Sequence, residues 1–118
     1  MAIGTSGPTK ELPWEFFLFM KDICCYILYS ETLGKFYTGA CQKSLQERIV
    51  KHNTHFYGKK HFTASATDWQ LFLRIDCNDY SHALRVERKI KSMKSSIYIQ
   101  NLKKYPELVQ KIVNSAAG

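Results

Sequence analysis

Two apolar runs separated by a short polar link open the patterned part of the chain, at residues 23–29 and 35–41. Both runs are rich in aromatic and β-branched side chains, which favour extended backbone. The link at 31–34 ends in glycine, a residue that turns commonly require. This pattern predicts two antiparallel strands joined by a four-residue loop, apolar on both faces and therefore covered on both sides.

The loop length fixes which residues face each other across the strand pair. Counting outward from the loop puts Leu28 opposite Tyr37 and Tyr26 opposite Gly39. Residues opposite or diagonal to each other share one face of the sheet, so we expect the two tyrosines as diagonal neighbours. A β-bulge would break this parity, because one extra residue turns the later side chains to the other face.

Helical signals follow the hairpin. Ser44, with Glu47 three residues later, has the form of a capping box and predicts a helix from about residue 45. The buried stripe of that helix is expected to comprise Leu45, Ile49 and Val50. Residues 54–67 show no sustained period and predict a loop. The basic residues of this loop are Lys59, Lys60 and His61.

The second half of the chain predicts one strand and three helices. The strand covers 69–76 and is expected to place four residues on one face: Trp69, Leu71, Leu73 and Ile75. The helix after it has an apolar stripe formed by Ala83, Val86, Ile90 and Met93, and its candidate caps are Asn78, Asp79 and Ser81. Another helix is expected over about 96–104, and Pro106 is well placed to begin the last one.

The order β-β-α-β-α-α-α predicts an α/β (α+β) fold class, a small three-stranded sheet flanked by helices in a single domain over residues 22–114. Residues 115–118 are predicted to be a frayed tail, and residues 1–21 a disordered extension or tag-like arm. For that first segment two interpretations stay open. Met20 is the natural start, or the aromatic stretch at 12–20 packs on the domain as an arm.

Charge and cysteine content narrow the class of protein. The net charge of +7 and the pI of about 9.3 suggest a polyanionic partner, and a merely solvated basic surface is the alternative. The four cysteines form no C-x-x-C pair, which argues against a zinc knuckle or redox motif. No apolar run approaches the roughly 20 residues of a membrane span. We therefore expect a reduced, cytoplasmic protein without a membrane partner.

Glu87 is the most informative charged residue. On an ideal helix it falls inside the arc of Ala83, Val86 and Ile90. A carboxylate on an apolar face needs a partner, a metal ion or a raised pKa. The alternative interpretation is an ion pair with Lys91, four residues later on the same helix.

Two further groups of residues could bind phosphate. Arg48 and His52 are four apart and share a helix face, where two cationic donors could grip a phosphate; a solvent face that also carries Lys51 is the alternative. Basic residues also crowd residues 80–106, where they could contact phosphate oxygens or simply be solvated. They are Arg85, Arg88, Lys89, Lys91, Lys94, Lys103 and Lys104.

Taken together, these residues resemble the GIY-YIG nuclease family, over residues 23 to about 94. Cys24-Cys25-Tyr26 stands where the family has Gly-Ile-Tyr, and Tyr37-Thr38-Gly39 where it has Tyr-Ile-Gly, with the family's spacing of ten residues between the tyrosines. The helix motif matches at Arg48, His52 and Asn53, and the family's glutamate matches at Glu87. The nearest likeness is to small standalone bacterial members related to the nuclease half of UvrC. The departure is Cys24, which replaces a glycine.

The resemblance implies a small antiparallel sheet flanked by helices and a metal-dependent DNA endonuclease, with DNA repair or turnover as the expected context. Glu87 would hold one divalent ion, Mg²⁺ or Mn²⁺. Tyr26 would activate or position the attacking water, with its pKa lowered by Arg48 and the metal. Tyr37 would orient that water or bind phosphate, Arg48 would stabilise charge at phosphorus, and His52 would assist at either point.

The resemblance also suggests residues that contact the DNA. These expected substrate-binding residues are Gly39, Asn53, Lys59, Lys60 and Arg88, and Asn101 is the candidate for the family's late asparagine. Gly39, opposite Tyr26, would leave room for substrate. The alternative function is a non-catalytic nucleic-acid-binding module that has kept the fold.

Overall fold

The hairpin and a third strand form one antiparallel sheet. In the computed structural model, which describes residues 21–117, strand β1 (Cys24–Ser30) pairs with β2 (Lys35–Cys41) on one side and with β3 (Trp69–Asp76) on the other. The predicted three-stranded sheet flanked by helices is thereby confirmed. The two interpretations of the N-terminal arm concern residues 1–20, which lie outside the described residues.

Four α-helices and a short 3₁₀ helix complete the described fold. Their bounds are α1 (Leu45–Asn53), the 3₁₀ helix (Phe62–Ser65), α2 (Tyr80–Met93), α3 (Ser96–Lys104) and α4 (Pro106–Ala116). The 3₁₀ helix lies in the segment that the sequence predicts as a loop. Within residues 21–117, every helix is too short or too polar to cross a bilayer.

Side-chain caps and proline set the helix starts as predicted. The Glu47 N–H donates to Ser44 Oγ at 3.1 Å, and the His82 N–H donates to Asp79 Oδ1 at 2.7 Å. Pro106 is the first residue of α4. This helix runs through Ala116, which is buried, so helical structure continues past residue 115, where the sequence predicts fraying to begin.

The hairpin has the register that its loop length predicts. Tyr26 faces Gly39 and Leu28 faces Tyr37. The Gly34 N–H donates to the Ser30 carbonyl at 2.7 Å, and Gly34 has a φ of 64°. Glycine adopts this left-handed conformation more easily than other residues, which explains why the link between the strands ends in Gly34.

A β-bulge in β3 overturns the prediction that Trp69, Leu71, Leu73 and Ile75 share one face. Leu28 pairs with Leu71 but Ile27 pairs with Leu73, so the register shifts by one residue there. The extra residue moves the later side chains to the opposite face. Trp69 therefore packs with the side chains around Tyr26, whereas Ile75 packs with those around Ile27.

The sheet separates two apolar clusters. One includes Cys25, Ile27, Val86, Ile90 and Leu102, and the other includes Cys24, Tyr26, Leu28, Leu45 and Trp69. The adjacent thiols of Cys24 and Cys25 thus point to opposite faces of the sheet, and all four cysteines are free. The expected stripes are wrong at their ends, because Val50 is 48% exposed and Met93 is 51% exposed.

Candidate active site

Tyr26 lies on the face of the sheet that helix α1 covers, and its side chain is fully buried there. Its ring centroid is 6.4 Å from that of Tyr37, so the two tyrosines are neighbours as strand parity predicts. A Cβ added to Gly39 would lie 2.6 Å from both Cζ and Oη of Tyr26. The space that we expected Gly39 to leave for substrate is therefore filled by the Tyr26 ring, and the glycine is needed for this close packing.

Helix α1 brings His52 against the Tyr26 hydroxyl. The distance from Tyr26 Oη to His52 Nε2 is 2.9 Å, and His52 is only 1% exposed. Nδ1 of the same ring lies 2.9 Å from Thr63 Oγ1 in the 3₁₀ helix. His52, rather than Val50, is thus the inward residue of this turn, because both ring nitrogens have hydrogen-bond partners inside the fold.

Arg48 joins the buried tyrosine to a polar surface cleft. Its guanidinium lies near enough to the Tyr26 hydroxyl to lower the pKa of that group, and it is 5.9 Å from the centre of the Tyr57 ring. It also lines a cleft of about 270 Å³ whose basic residues include Lys43 and Lys51. The predicted pairing of Arg48 with His52 on one helix face therefore puts a cation between the cleft and Tyr26.

Helix α2 places Glu87 near Tyr37, close enough for its charge to raise the pKa of that tyrosine. Lys91 Nζ lies 2.6 Å from Glu87 Oε2 and 5.7 Å from the centre of the Tyr37 ring. The Glu87 side chain is 17% exposed, whereas that of Lys91 is 50% exposed. The alternative interpretation of Glu87 as an i,i+4 ion pair is thus realised, and it is compatible with a location at the rim of the tyrosine pair.

Burial governs the electrostatics of the two tyrosines. It raises the pKa of Tyr26 above the ordinary value of 10.0, with a further rise caused by Tyr37 and only partial opposition from Arg48. Burial also raises the pKa of Tyr37, against the effect of the Lys91 charge. Arg48 does lower the pKa of Tyr26, as expected, but desolvation outweighs the guanidinium and the net pKa of Tyr26 is raised.

His52 makes stability depend on pH. Burial, together with His61 and Arg48, lowers the pKa of His52 from 6.5 to about 4. Between these values the unfolded chain binds a proton that the folded protein does not, so stability present above pH 6.5 is lost as the pH falls toward 4. We expect urea denaturation to show a loss on the order of 3 kcal/mol over this range.

A His52→Gln variant is the control for this pH effect. Its free energy of unfolding at neutral pH will be lower, but its decline between pH 6.5 and 4 should be correspondingly shallower, because the variant lacks the titrating ring. Equal declines in the wild-type and variant proteins would show that other groups cause the acid sensitivity.

The donor set near Glu87 suits one weakly held hard cation. In the part of the chain from residue 21 to 117, there is no group of three or more His, Cys, Asp or Glu side chains that could hold a metal ion. Mg²⁺ usually keeps several waters and binds one or two carboxylates together with substrate phosphates. The single carboxylate of Glu87 fits that chemistry, and its ion pair with the half-exposed Lys91 costs little to open.

Three further residues predicted for the site, Asn53, Asn101 and Arg88, have different surroundings in the structure. The Asn53 amide donates to the Trp69 carbonyl at 3.0 Å and accepts from the Trp69 N–H at 2.8 Å, so it joins α1 to β3 and is not free for substrate. Asn101 lines a pocket with residues 105–111 of the α3–α4 region instead of the tyrosine pair. Arg88 is exposed next to Glu87.

The loop before the 3₁₀ helix contributes residues that the sequence pattern did not identify. Tyr57 packs 4.8 Å from His52 between ring centroids, and His61 lies 5.5 Å from Tyr37. Lys59 and Lys60, expected to bind substrate, are exposed between these two aromatic anchors. The sequence feature that could have identified this loop is its concentration of aromatic and histidine residues in a segment, 54–67, that has no hydrophobic periodicity.

Comparison with known proteins agrees with this geometry. A family model described as the GIY-YIG catalytic domain matches residues 22–104, a range that includes Tyr26, Tyr37, Arg48, His52 and Glu87. No curated protein and no solved structure matched the chain. Nucleases of this family generally depend on a divalent metal ion. The chain belongs to the GIY-YIG nuclease family.

Proposed function

We propose that this protein is a metal-dependent DNA endonuclease that hydrolyses phosphodiester bonds. The observation that carries the proposal is the buried hydrogen bond of 2.9 Å between Tyr26 Oη and His52 Nε2. It lies beside Arg48 and Tyr37, with Glu87 at the rim. A hydroxyl linked to a neutral imidazole and flanked by a guanidinium is suited to proton transfer at a phosphate.

Tyr26 acts in this proposal by passing a proton, because burial disfavours a stable tyrosinate. The attacking water loses a proton to Tyr26 Oη while the Tyr26 proton moves to His52 Nε2. The hydroxide then forms a bond to phosphorus, and the bond from phosphorus to the leaving oxygen breaks. Since Tyr26 is fully buried, the side chains that cover its hydroxyl must move for the water to reach it.

Arg48 and Tyr37 hold the reacting phosphate. Arg48 lines the polar cleft and offers several donors, so it can follow the charge that develops on the phosphoryl oxygens. Tyr37 is half-buried next to His52, and its hydroxyl can orient the water or bind an oxygen of the phosphate. Both roles require the partial exposure that Tyr26 lacks.

Glu87 would hold the divalent ion, Mg²⁺ or Mn²⁺, after release from Lys91. When bound, such an ion neutralises charge on the phosphate and on the leaving oxygen.

The DNA backbone is proposed to follow the basic surface beside the site. Lys43 and Lys51 line the cleft next to Arg48, and the exposed loop adds Lys59 and Lys60. Contacts of this kind give salt-sensitive affinity with little sequence preference. A role in DNA repair or turnover and a cytoplasmic location, which the four free thiols would suit, stay predictions.

The deciding experiment incubates the purified protein with branched, nicked and single-stranded DNA in Mg²⁺ or Mn²⁺. We expect cleavage that requires metal and that is lost in Tyr26→Phe, which removes the hydroxyl and keeps the ring. Salt-sensitive binding without cleavage of any substrate would overturn the proposal and favour the non-catalytic binding module. The absence of both activities would leave a basic interaction protein.

A further inference from the structure

Four hydrogen-bonded side chains lead from Tyr26 toward the protein surface. Tyr26 Oη lies 2.9 Å from His52 Nε2, and His52 Nδ1 lies 2.9 Å from Thr63 Oγ1. The same hydroxyl is 2.9 Å from His61 Nδ1. The first three residues are at most 1% exposed, whereas His61 is half-buried. The chain therefore connects the core of the site to its edge.

The His61 end of the chain fixes the direction of the hydrogen bonds. The Thr63 backbone N–H donates to His61 Nδ1 at 3.2 Å, so this nitrogen is an acceptor and has no proton. The Thr63 hydroxyl, close to the same nitrogen, must then donate to it. The hydroxyl oxygen is left to accept from His52, which places the His52 proton on Nδ1 and leaves Nε2 with its lone pair.

The Tyr26 end gives the same direction independently. The Arg48 guanidinium lies near the Tyr26 hydroxyl, and its positive charge attracts the lone pairs of that oxygen and repels its proton. The Tyr26 oxygen therefore turns its lone pairs toward Arg48 and directs its own proton at His52 Nε2. The His61 end and the Tyr26 end thus give the same direction, and each hydrogen in this series of hydrogen bonds has one acceptor.

The residues that fix the His52 tautomer are themselves firmly held. His61 is the N-cap of the 3₁₀ helix, and the Ala64 N–H donates to its carbonyl at 2.9 Å. The Trp69 indole N–H donates to the Thr63 carbonyl at 2.8 Å. Thr63 is thus anchored to β3 by its backbone. Its hydroxyl lies between the His52 and His61 rings and can donate its hydrogen to either one.

We propose that Thr63 and His61 are positioning residues that hold the proton of His52 on Nδ1, so that Nε2 is free to take the proton of Tyr26. The effect on cleavage rests on the proposed function. When the Tyr26 O–H bond breaks, an N–H bond forms at His52 Nε2. The Nδ1 proton passes to Thr63 Oγ1, and the Thr63 hydroxyl proton passes to His61 Nδ1. Positive charge thereby leaves the buried ring, where burial disfavours it.

The test measures the tautomer of His52 by ¹⁵N NMR and the rate of DNA cleavage in four variants. Thr63→Ser keeps the hydroxyl, whereas Thr63→Val removes it with little change of shape. His61→Asn keeps an acceptor at the N-cap, whereas His61→Ala frees the Thr63 hydroxyl to donate to His52. We expect Nδ1–H in the wild-type, Ser and Asn proteins. Thr63→Val and His61→Ala should lose this tautomer, with cleavage about 10- to 100-fold slower than in their matched partners.

Two results would overturn the proposal: a wild-type His52 protonated on Nε2, or a His61→Ala protein with the tautomer and rate of His61→Asn. Should Thr63→Val fail to fold, the comparison at the half-buried His61 decides alone. If the wild-type protein cleaves no DNA, the nuclease assignment fails, and the NMR comparison still decides whether these two residues fix the His52 tautomer.

Discussion

Replacing Glu87 by glutamine is expected to slow metal-dependent DNA cleavage by about a thousandfold or more. Glutamine has the same shape but lacks the charge that binds a divalent ion, and a thousandfold corresponds to about 4 kcal/mol of transition-state stabilisation. Residues 21–117 contain no group of three or more His, Cys, Asp or Glu side chains that could form a separate metal site. Single-turnover cleavage at saturating Mn²⁺, compared with the wild-type protein, gives this ratio directly.

Lys91→Met is the matched control for Glu87→Gln. Both substitutions remove the same ion pair of 2.6 Å, which as a partly exposed i,i+4 pair contributes only about 0.2–0.5 kcal/mol. We therefore expect both variants to fold with similar stability. Lys91→Met keeps the carboxylate and should retain most of the cleavage rate, with Mn²⁺ binding that is as tight as in the wild type or tighter. Equal losses in the two variants would mean that the ion pair, and not metal binding, explains the role of Glu87.

The hairpin half of the site was predictable because its geometry is local. A four-residue loop fixes the strand register, and the register fixes that Tyr26 faces Gly39 and adjoins Tyr37. Helix α1 adds Arg48 and His52 at i,i+4 spacing after a recognisable cap. Each of these steps depends on residues close in sequence, so pattern alone is sufficient.

The bulge in β3 was not predictable from the pattern. Leu71, Phe72 and Leu73 are three consecutive apolar residues, so alternation gives no sign of where the extra residue lies. The choice is made by packing, because Trp69 joins the Tyr26 side of the sheet and Ile75 joins the other. Tertiary contacts thus decide a local irregularity that the sequence leaves open.

The inward position of His52 shows the same limit in the site. A hydropathy rule puts Val50 inside and His52 outside, but the valine is 48% exposed and the histidine 1% exposed. Burial of an imidazole is possible here because Tyr26 and Thr63, distant in sequence, satisfy its two nitrogens. Thr63 itself lies in a segment without hydrophobic periodicity. Sequence spacing therefore could not identify Tyr26 and Thr63 as the hydrogen-bond partners of His52.

Replacing Gly39 by alanine is expected to lower the free energy of unfolding by about 2–5 kcal/mol and to slow cleavage by the folded protein about 100-fold. The new Cβ would lie 2.6 Å from Cζ and Oη of Tyr26, a ring that is fully buried and cannot swing into solvent. The ring must shift, which adds the cost of overpacking to the loss of its bond to His52. A displacement of about 1 Å at a reacting hydroxyl is enough for a 100-fold loss of rate.

Gly34→Ala separates this effect from general destabilisation. Gly34 lies in the hairpin turn with a φ of 64°, so alanine there costs about 1–2 kcal/mol through backbone conformation. The nearest side-chain atom to its added Cβ is the Tyr29 hydroxyl at 4.0 Å, away from the tyrosine pair. We expect urea denaturation to show both variants weakened, and cleavage at a temperature where both are folded to be lost only in Gly39→Ala. A Gly39→Ala protein with wild-type stability and rate would contradict the packing of Tyr26 against Gly39, and with it the placement of the proposed catalytic hydroxyl.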